Sequence, residues 1–238
     1  MDDLDAAMMK SAATAERPLL GLTVLVVEDS RFTCEAMRLL CLRSGARMRR
    51  ADCLASARRH LQVYRPSVVI VDLGLPDGCG EDLISELCAG APRTSVVLGI
   101  SGDPDGAASA LAAGADGFLA KPVETLAAFQ SAVLKRLPAA DYPTGPRPSN
   151  TDRIRPDPIA FREDLSHISS VLTAGTDAKT LDYVAQFLSG VARSARDTTL
   201  QAAAEALARD RAKGLPVRSD LARLAGLVQD RLAAGRAI

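Results

Sequence analysis

Along residues 22–137, short continuous apolar runs alternate with stretches in which apolar positions recur every three or four residues. Leu22–Val27 (LTVLVV) is rich in β-branched side chains, which predicts a strand buried on both faces. Arg31–Arg43 carries helical spacing and stops at Ser44-Gly45, a natural helix end. Arg47–Ala51 predicts a weaker strand and Leu54–Val63 a helix. Ser67–Val71 and Ser95–Ile100 repeat the buried-strand pattern, followed by helices over Glu81–Ala89 and Pro104–Ala113; Gly117–Ala120 and Glu124–Leu137 complete the series. Five strands alternating with five helices predict an α/β domain, a doubly wound parallel sheet with helices on both faces. Ligands in such folds sit beyond the carboxyl ends of the strands.

The flanking segments differ in texture. Residues 1–19 show no periodicity and are expected to be a disordered tail. Residues 138–157 are punctuated by proline, from Pro138 through Pro143, Pro146 and Pro148 to Pro156. That spacing predicts an extended linker with no means of building a core. In 158–238 the spacing predicts four helices, over 158–174, 177–194, 197–212 and 217–234, separated at Gly175-Thr176-Asp177 and Gly214-Leu215-Pro216. Their short connections imply antiparallel neighbours, hence an all-α four-helix bundle. The chain thus divides into an α/β domain over 20–137 and a helical domain over 158–238.

Charge narrows the functions. The 238 residues carry 29 basic and 29 acidic side chains, with 13 and 11 of them after residue 150, and no Trp. This balance lacks the signature of a polybasic membrane binder and argues against a nucleic-acid partner. Ser219-Asp220-Leu221-Ala222 with Gly226 faintly resembles a helix-turn-helix opening, but the residues after it are not basic. Cys34, Cys41, Cys53, Cys79 and Cys88 form no CxxC, as expected of reduced thiols in the cytoplasm. No apolar run has the length of a signal peptide core or a membrane span.

The predicted strand ends carry polar residues: Glu28-Asp29 after the first, Asp72 after the third, Ser101 after the fourth and Lys121 after the fifth. Three carboxylates on one sheet edge repel unless a cation neutralises them, and Mg²⁺ with oxygen ligands suits that task. Lys121 can balance the charge of an incoming phosphoryl group and Ser101 can hydrogen-bond it. A carboxylate is also a nucleophile toward phosphorus.

Glu28-Asp29, Asp72, Ser101 and Lys121-Pro122, with the stretches DLGLPDGCG and GADGFLAKP, closely resemble the receiver domain of two-component response regulators, a flavodoxin-like fold. The resemblance covers residues 20–137. It implies Asp72 as phosphoacceptor and Mg²⁺ held by Glu28, Asp29, Asp72 and the Gly74 carbonyl. Lys121 and Ser101 would contact the phosphoryl oxygens, and Phe118 would be the aromatic switch that follows Ser101. It also implies a histidine kinase or histidine phosphotransferase as donor, a switch face able to pair when phosphorylated, and a signalling role rather than that of an enzyme. Gly74 offers no side chain to screen the phosphoryl group from water, so water is expected to have access there, and Asp103, two residues past Ser101, could shape that access instead.

In the helical half, Gly190 interrupts a well-formed helix at a cost of about 1 kcal/mol relative to Ala, which asks for close packing or for room beside it. Ala185, Gly190 and Ala192, with Leu200, Ala204 and Leu207 beyond, are similar to the histidine phosphotransfer domain. Gln186 stands where that family has its phosphorylated His, and Ser189 where it has Lys. The resemblance implies a degenerate module that keeps a docking shape, toward its own receiver or another response regulator. His167 is the alternative phosphoacceptor of an active relay, although the β-branched Val171 crowds it; a DNA-binding transcription regulator is the other alternative.

Overall fold

The computed structural model describes residues 13–138 and 153–234. The α/β half comprises β1 (Thr23–Val27), α1 (Arg31–Ser44), β2 (Arg47–Ala51), α2 (Leu54–Val63), β3 (Val68–Asp72), β4 (Gly74–Leu75), β5 (Gly78–Cys79), α3 (Gly80–Ala89), β6 (Val96–Ser101), α4 (Gly106–Ala112), β7 (Gly117–Ala120) and α5 (Leu126–Leu134). The helical half comprises α6 (Pro158–Ala174), α7 (Ala178–Ala195), α8 (Thr198–Ala212) and α9 (Arg218–Ala234).

Five strands form one parallel sheet in the order β2-β1-β3-β6-β7, the flavodoxin-like topology, with helices on both faces. Side chains alternate across a strand, so each strand feeds two cores. Val24, Val26, Val68, Ile70, Val96 and Leu98 face α1 and α5, meeting Met37, Leu40 and Phe129. Leu25, Val27, Val69, Val71 and Val97 face α2–α4, meeting Leu54, Leu83 and Ile84. Only β2, at the sheet edge, alternates exposed arginines with partly buried positions, which discourages pairing with another chain.

Sequence pattern and structure part at three places. Leu19, expected in the tail, is fully buried in the α1/α5 core, and its amide donates to the Ser44 carbonyl at 2.9 Å. Ile154, expected in a linker without a core, packs in that same core and donates its amide to the Glu124 carbonyl at 2.8 Å. The rest of the tail up to residue 12, and linker residues 139–152, lie outside the described residues. The β4–β5 hairpin was not anticipated. Asp77 in its turn accepts from the Leu54 and Ala55 amides at 2.8 and 2.9 Å and so caps α2.

Helices α6–α9 share one core built on Leu165, Ile168, Val184, Leu188, Leu200, Ala204, Leu207, Leu224 and Val228. This unit rests against the α/β half. Phe161 meets Phe32 edge to face, with ring centroids 5.7 Å apart. Asp164, 1% exposed, accepts from Ser30 Oγ at 2.7 Å and from the Arg31 and Phe32 amides at 2.7 and 3.1 Å. A carboxylate from the helical half therefore caps the positive end of α1, in concert with Ser30, whose Oγ accepts from the Thr33 amide at 3.0 Å. Among the described residues, no helix is long and apolar enough to cross a membrane.

Asp164→Ala strands three donors, two of them buried, and is expected to lower stability by about 1–3 kcal/mol. In a denaturant-unfolding double-mutant cycle, Asp164→Ala and Ser30→Ala should combine non-additively, because each removes the same hydrogen bond.

Candidate functional site

The parallel register assembles the site. Val27 pairs with Val71, so Glu28-Asp29 and Asp72 leave adjacent strands side by side. Asp72 pairs with Ile100, and Ser101 with Ala120, which brings Ser101 and Lys121 onto the same edge. The chain turns from β1 to β2 on one side and reaches β3 on the other, so the carboxylates stand at the switch point of the sheet. Gly80 permits the loop to close over Asp72: a Cβ there would overlap the Asp72 carbonyl.

Ligand oxygens of Glu28, Asp29 and Asp72 lie within 4.8 Å of one another. Lys121 Nζ sits 2.7 Å from Glu28 Oε2 and 3.0 Å from Asp72 Oδ2, with all three side chains buried. Burial and the Asp72 charge push the Glu28 carboxyl well above its ordinary pKa, against the pull of Lys121. Burial likewise pushes Asp29 up to about 6, helped by Asp72 and opposed by a hydrogen bond from Tyr183. Burial opposes a charged Lys121, but the Asp72 and Glu28 carboxylates outweigh it and raise its pKa. One ammonium thus faces three carboxylates. Glu28 Oε2, buried beside Lys121, has no aligned hydrogen bond. A hard divalent cation fits this donor set of clustered, under-neutralised oxygens.

Ser101 and Phe118 meet across Gly106. A Cβ at Gly106 would lie 2.9 Å from Ser101 Cβ and 3.2 Å from the Phe118 ring, so the bare backbone leaves the two side chains room to move together. Phe118 is partly buried against the α2–α4 core. Ser101 Oγ accepts from the Asp103 amide at 3.0 Å, and Asp103 Oδ1 from the Asp105 amide at 2.9 Å.

Helix α7 lies across this edge and, with α8 and the strand ends, borders an open cavity of about 770 Å³. Its walls include Glu28, Asp72, Ser101 and Lys121 on one side and Gln186, Ser189 and Gly190 on the other. Tyr183 Oη donates to Asp29 Oδ2 at 2.7 Å. The Gln186 carboxamide is set against Gly74, where a Cβ would overlap its Nε2 and lie 2.9 Å from its Oε1. Gly190 answers the expectation of close packing or room with room: a Cβ there would meet nothing within 4 Å. The residues matched to the phosphotransfer pattern, Ala185, Ala192, Leu200, Ala204 and Leu207, are all buried in the helical core. His167 is exposed and lines a separate groove with Asp29 and Tyr183; its Nε2 lies 3.4 Å from Tyr183 Oη.

Sequence reasoning missed Tyr183, Asp164 and Arg50. Arg50 Nη2 donates to the Asp29 carbonyl at 2.8 Å and fixes the backbone of the acidic pair. Tyr183 and Asp164 lie 154 and 134 residues from their partners and Arg50 lies 21 from its own, and no local pattern reveals these pairings.

Comparison with known proteins agrees with this geometry. Residues 24–133 match the response regulator receiver domain family. The chain is 35% identical over 121 residues to the transcriptional regulatory protein KdpE of Mycobacterium tuberculosis, covering 50% of this chain and 54% of that protein. It is 33% identical over 99 residues to the KDP operon transcriptional regulatory protein KdpE of Escherichia coli, covering 42% and 44%. The chain therefore spans about half the length of the curated relatives it matches. Among solved structures, the signal receiver domain of a signal transduction histidine kinase from Syntrophus aciditrophicus is similar at 26% identity, with a TM-score of 0.45 over 49% of this chain and 90% of that one. With its sheet order, its acidic edge and its matching sequence, the segment 24–133 is a response regulator receiver domain.

Proposed function

We propose that the protein is a response regulator of a two-component or phosphorelay system, in which Asp72 accepts a phosphoryl group from a phosphohistidine on a partner kinase or phosphotransferase. The observation that carries this reading is the convergence of Glu28, Asp29, Asp72 and Lys121 on one sheet edge. Glu28, Asp29, Asp72 and the Gly74 carbonyl would hold Mg²⁺, which supplies positive charge for the phosphoryl oxygens. An Asp72 carboxylate oxygen attacks phosphorus as the bond to the imidazole nitrogen breaks, and the imidazole keeps that electron pair. Lys121, already 3.0 Å from Asp72, shifts from carboxylate to phosphoryl oxygen, and Ser101 turns its hydroxyl toward the same group. Phe118 then follows into the space beside Gly106. The protein serves as an acceptor and relay of signal rather than as an enzyme turning over a substrate.

The helical half, read as a four-helix bundle of phosphotransfer shape, is the protein-binding output. A carboxamide nitrogen lone pair is delocalised, so Gln186 cannot accept a phosphoryl group as an imidazole does, and the module recognises a receiver surface without relaying phosphate. Its contact with the acidic edge of its own receiver supports this role. Another response regulator is an alternative binding partner, and the face of α4, β7 and α5 is the surface through which phosphorylated copies would pair. A second reading rests on the relatives' names: both are transcriptional regulatory proteins, which weakens the composition-based exclusion of nucleic acid and keeps a DNA-binding helical half as the alternative.

Incubation with acetyl phosphate and MgCl₂ is expected to place one hydroxylamine- and alkali-labile phosphoryl group on the full chain, detected by intact mass. Chelation of the metal or Asp72→Asn should abolish it, and persistence of label in Asp72→Asn refutes the acceptor assignment. Lys121→Met removes the one cation from a buried ion cluster and should cost about 3–5 kcal/mol in denaturant unfolding without metal, part of which MgCl₂ restores. A salt-sensitive shift of duplex DNA by the full chain would favour the transcription-regulator reading; its absence favours protein binding.

A further inference from the structure

Gln186 is conspicuous for what engages it. Among the described residues no hydrogen bond holds its carboxamide, yet helix α7 sets that group against Gly74, two residues from Asp72, inside the cavity that opens over the acidic edge. The cavity of about 770 Å³ has room for a phosphoryl group and for water beside it. Glycines on the receiver let side chains of α7 reach over that edge: a Cβ at Gly74 would overlap the Gln186 carboxamide, and one at Gly102 would lie 3.1 Å from the Arg193 guanidinium. Tyr183, one turn earlier on the same helix, anchors α7 to Asp29 and so fixes where Gln186 reaches. A carboxamide carries both a donor and an acceptor, does not titrate near neutrality and is no competitor for phosphorus. These are the properties of a water-positioning group in phosphoryl hydrolysis.

We propose that the helical domain accelerates loss of phosphate from its own receiver, with Gln186 orienting the attacking water. This rests on Asp72 being the phosphoacceptor. The water oxygen bonds to phosphorus as the bond between phosphorus and the Asp72 carboxyl oxygen breaks. That carboxyl oxygen keeps the bonding pair, and the proton lost by the water passes to the departing phosphate. The products are the Asp72 carboxylate and inorganic phosphate, with no redox partner required. Substitution of His by Gln at this position then exchanges a module that would take the phosphoryl group for one that discards it, making the docked helical half a built-in timer on the signal.

The test follows the half-life of hydroxylamine-labile phosphate on the full chain after loading with acetyl phosphate and rapid removal of the donor. Gln186 is exposed and belongs to no core, so its substitution is expected to leave the fold intact. Once loaded, Gln186→Ala and Gln186→Leu should hold phosphate about 100- to 1000-fold longer than the wild type, the scale of loss of one positioned hydrogen-bonding group. Gln186→Leu separates chemistry from bulk: it fills similar space but cannot orient water. If Gln186→Leu matches the wild type, or if Gln186→Ala shortens the half-life, the side chain acts as a shield and the proposal is overturned. Unchanged half-lives in both variants overturn it as well. Failure of the wild type to load at all removes the Asp72 reading itself, a result distinguishable from loading followed by indifferent decay.

Discussion

The structure turns on an electrostatic imbalance held in place by a hydrogen-bond ladder. Parallel strands paired in register deliver three carboxylates to one edge, and a single buried ammonium, Lys121, lies 2.7 and 3.0 Å from two of them. Burial makes that crowding costly, which is why the Glu28 and Asp29 carboxyls both sit above their ordinary pKa. Such an edge is poised to take up positive charge and to respond when negative charge arrives on Asp72. The apolar strands exist, in this sense, to hold like charges where they would not otherwise stay.

The helical half is built into this arrangement rather than hung beside it. Asp164 caps α1, Tyr183 reaches Asp29, and Arg196 at the end of α7 pairs with Glu124 at 2.6 Å. Of these, the Tyr183 contact bears on the acidic cluster most directly, because its acceptor belongs to it. Any change in charge at that cluster alters the strength of the hydrogen bond that secures α7. The α1 cap is tied to the same cluster, since Ser30, whose hydroxyl donates to Asp164, donates its amide to Glu28 Oε1 at 3.2 Å. The acidic edge and the seating of α7 therefore share atoms, Asp29 Oδ2 and Tyr183 Oη, without a long chain of intermediaries.

How much of this was legible in the sequence follows from the kind of interaction involved. The runs at 24–27, 68–71 and 96–98 announced the sheet because burial on both faces admits only apolar residues, and the acidic edge followed from reading one residue past each run. Boundaries shifted slightly, with Asp72 and Ser101 inside their strands, because ladder hydrogen bonds continue where hydrophobicity stops. Leu19 and Ile154 were misplaced because a single apolar residue among polar or prolyl neighbours has no periodicity, and only tertiary packing decides its burial. The β4–β5 hairpin has two residues per strand, too few for alternation, and is tied down by Asp77. The pairing of Tyr183 with Asp29 and of Asp164 with Ser30 spans more than a hundred residues, and nothing local encodes it.

The central claim, that clustered carboxylates await a doubly charged cation, is tested most directly by calorimetric titration of the metal-free full chain with MgCl₂. The account predicts saturable uptake at one site, greatly weakened by Asp29→Asn. Absence of saturable binding, or binding that Asp29→Asn leaves unchanged, would contradict it.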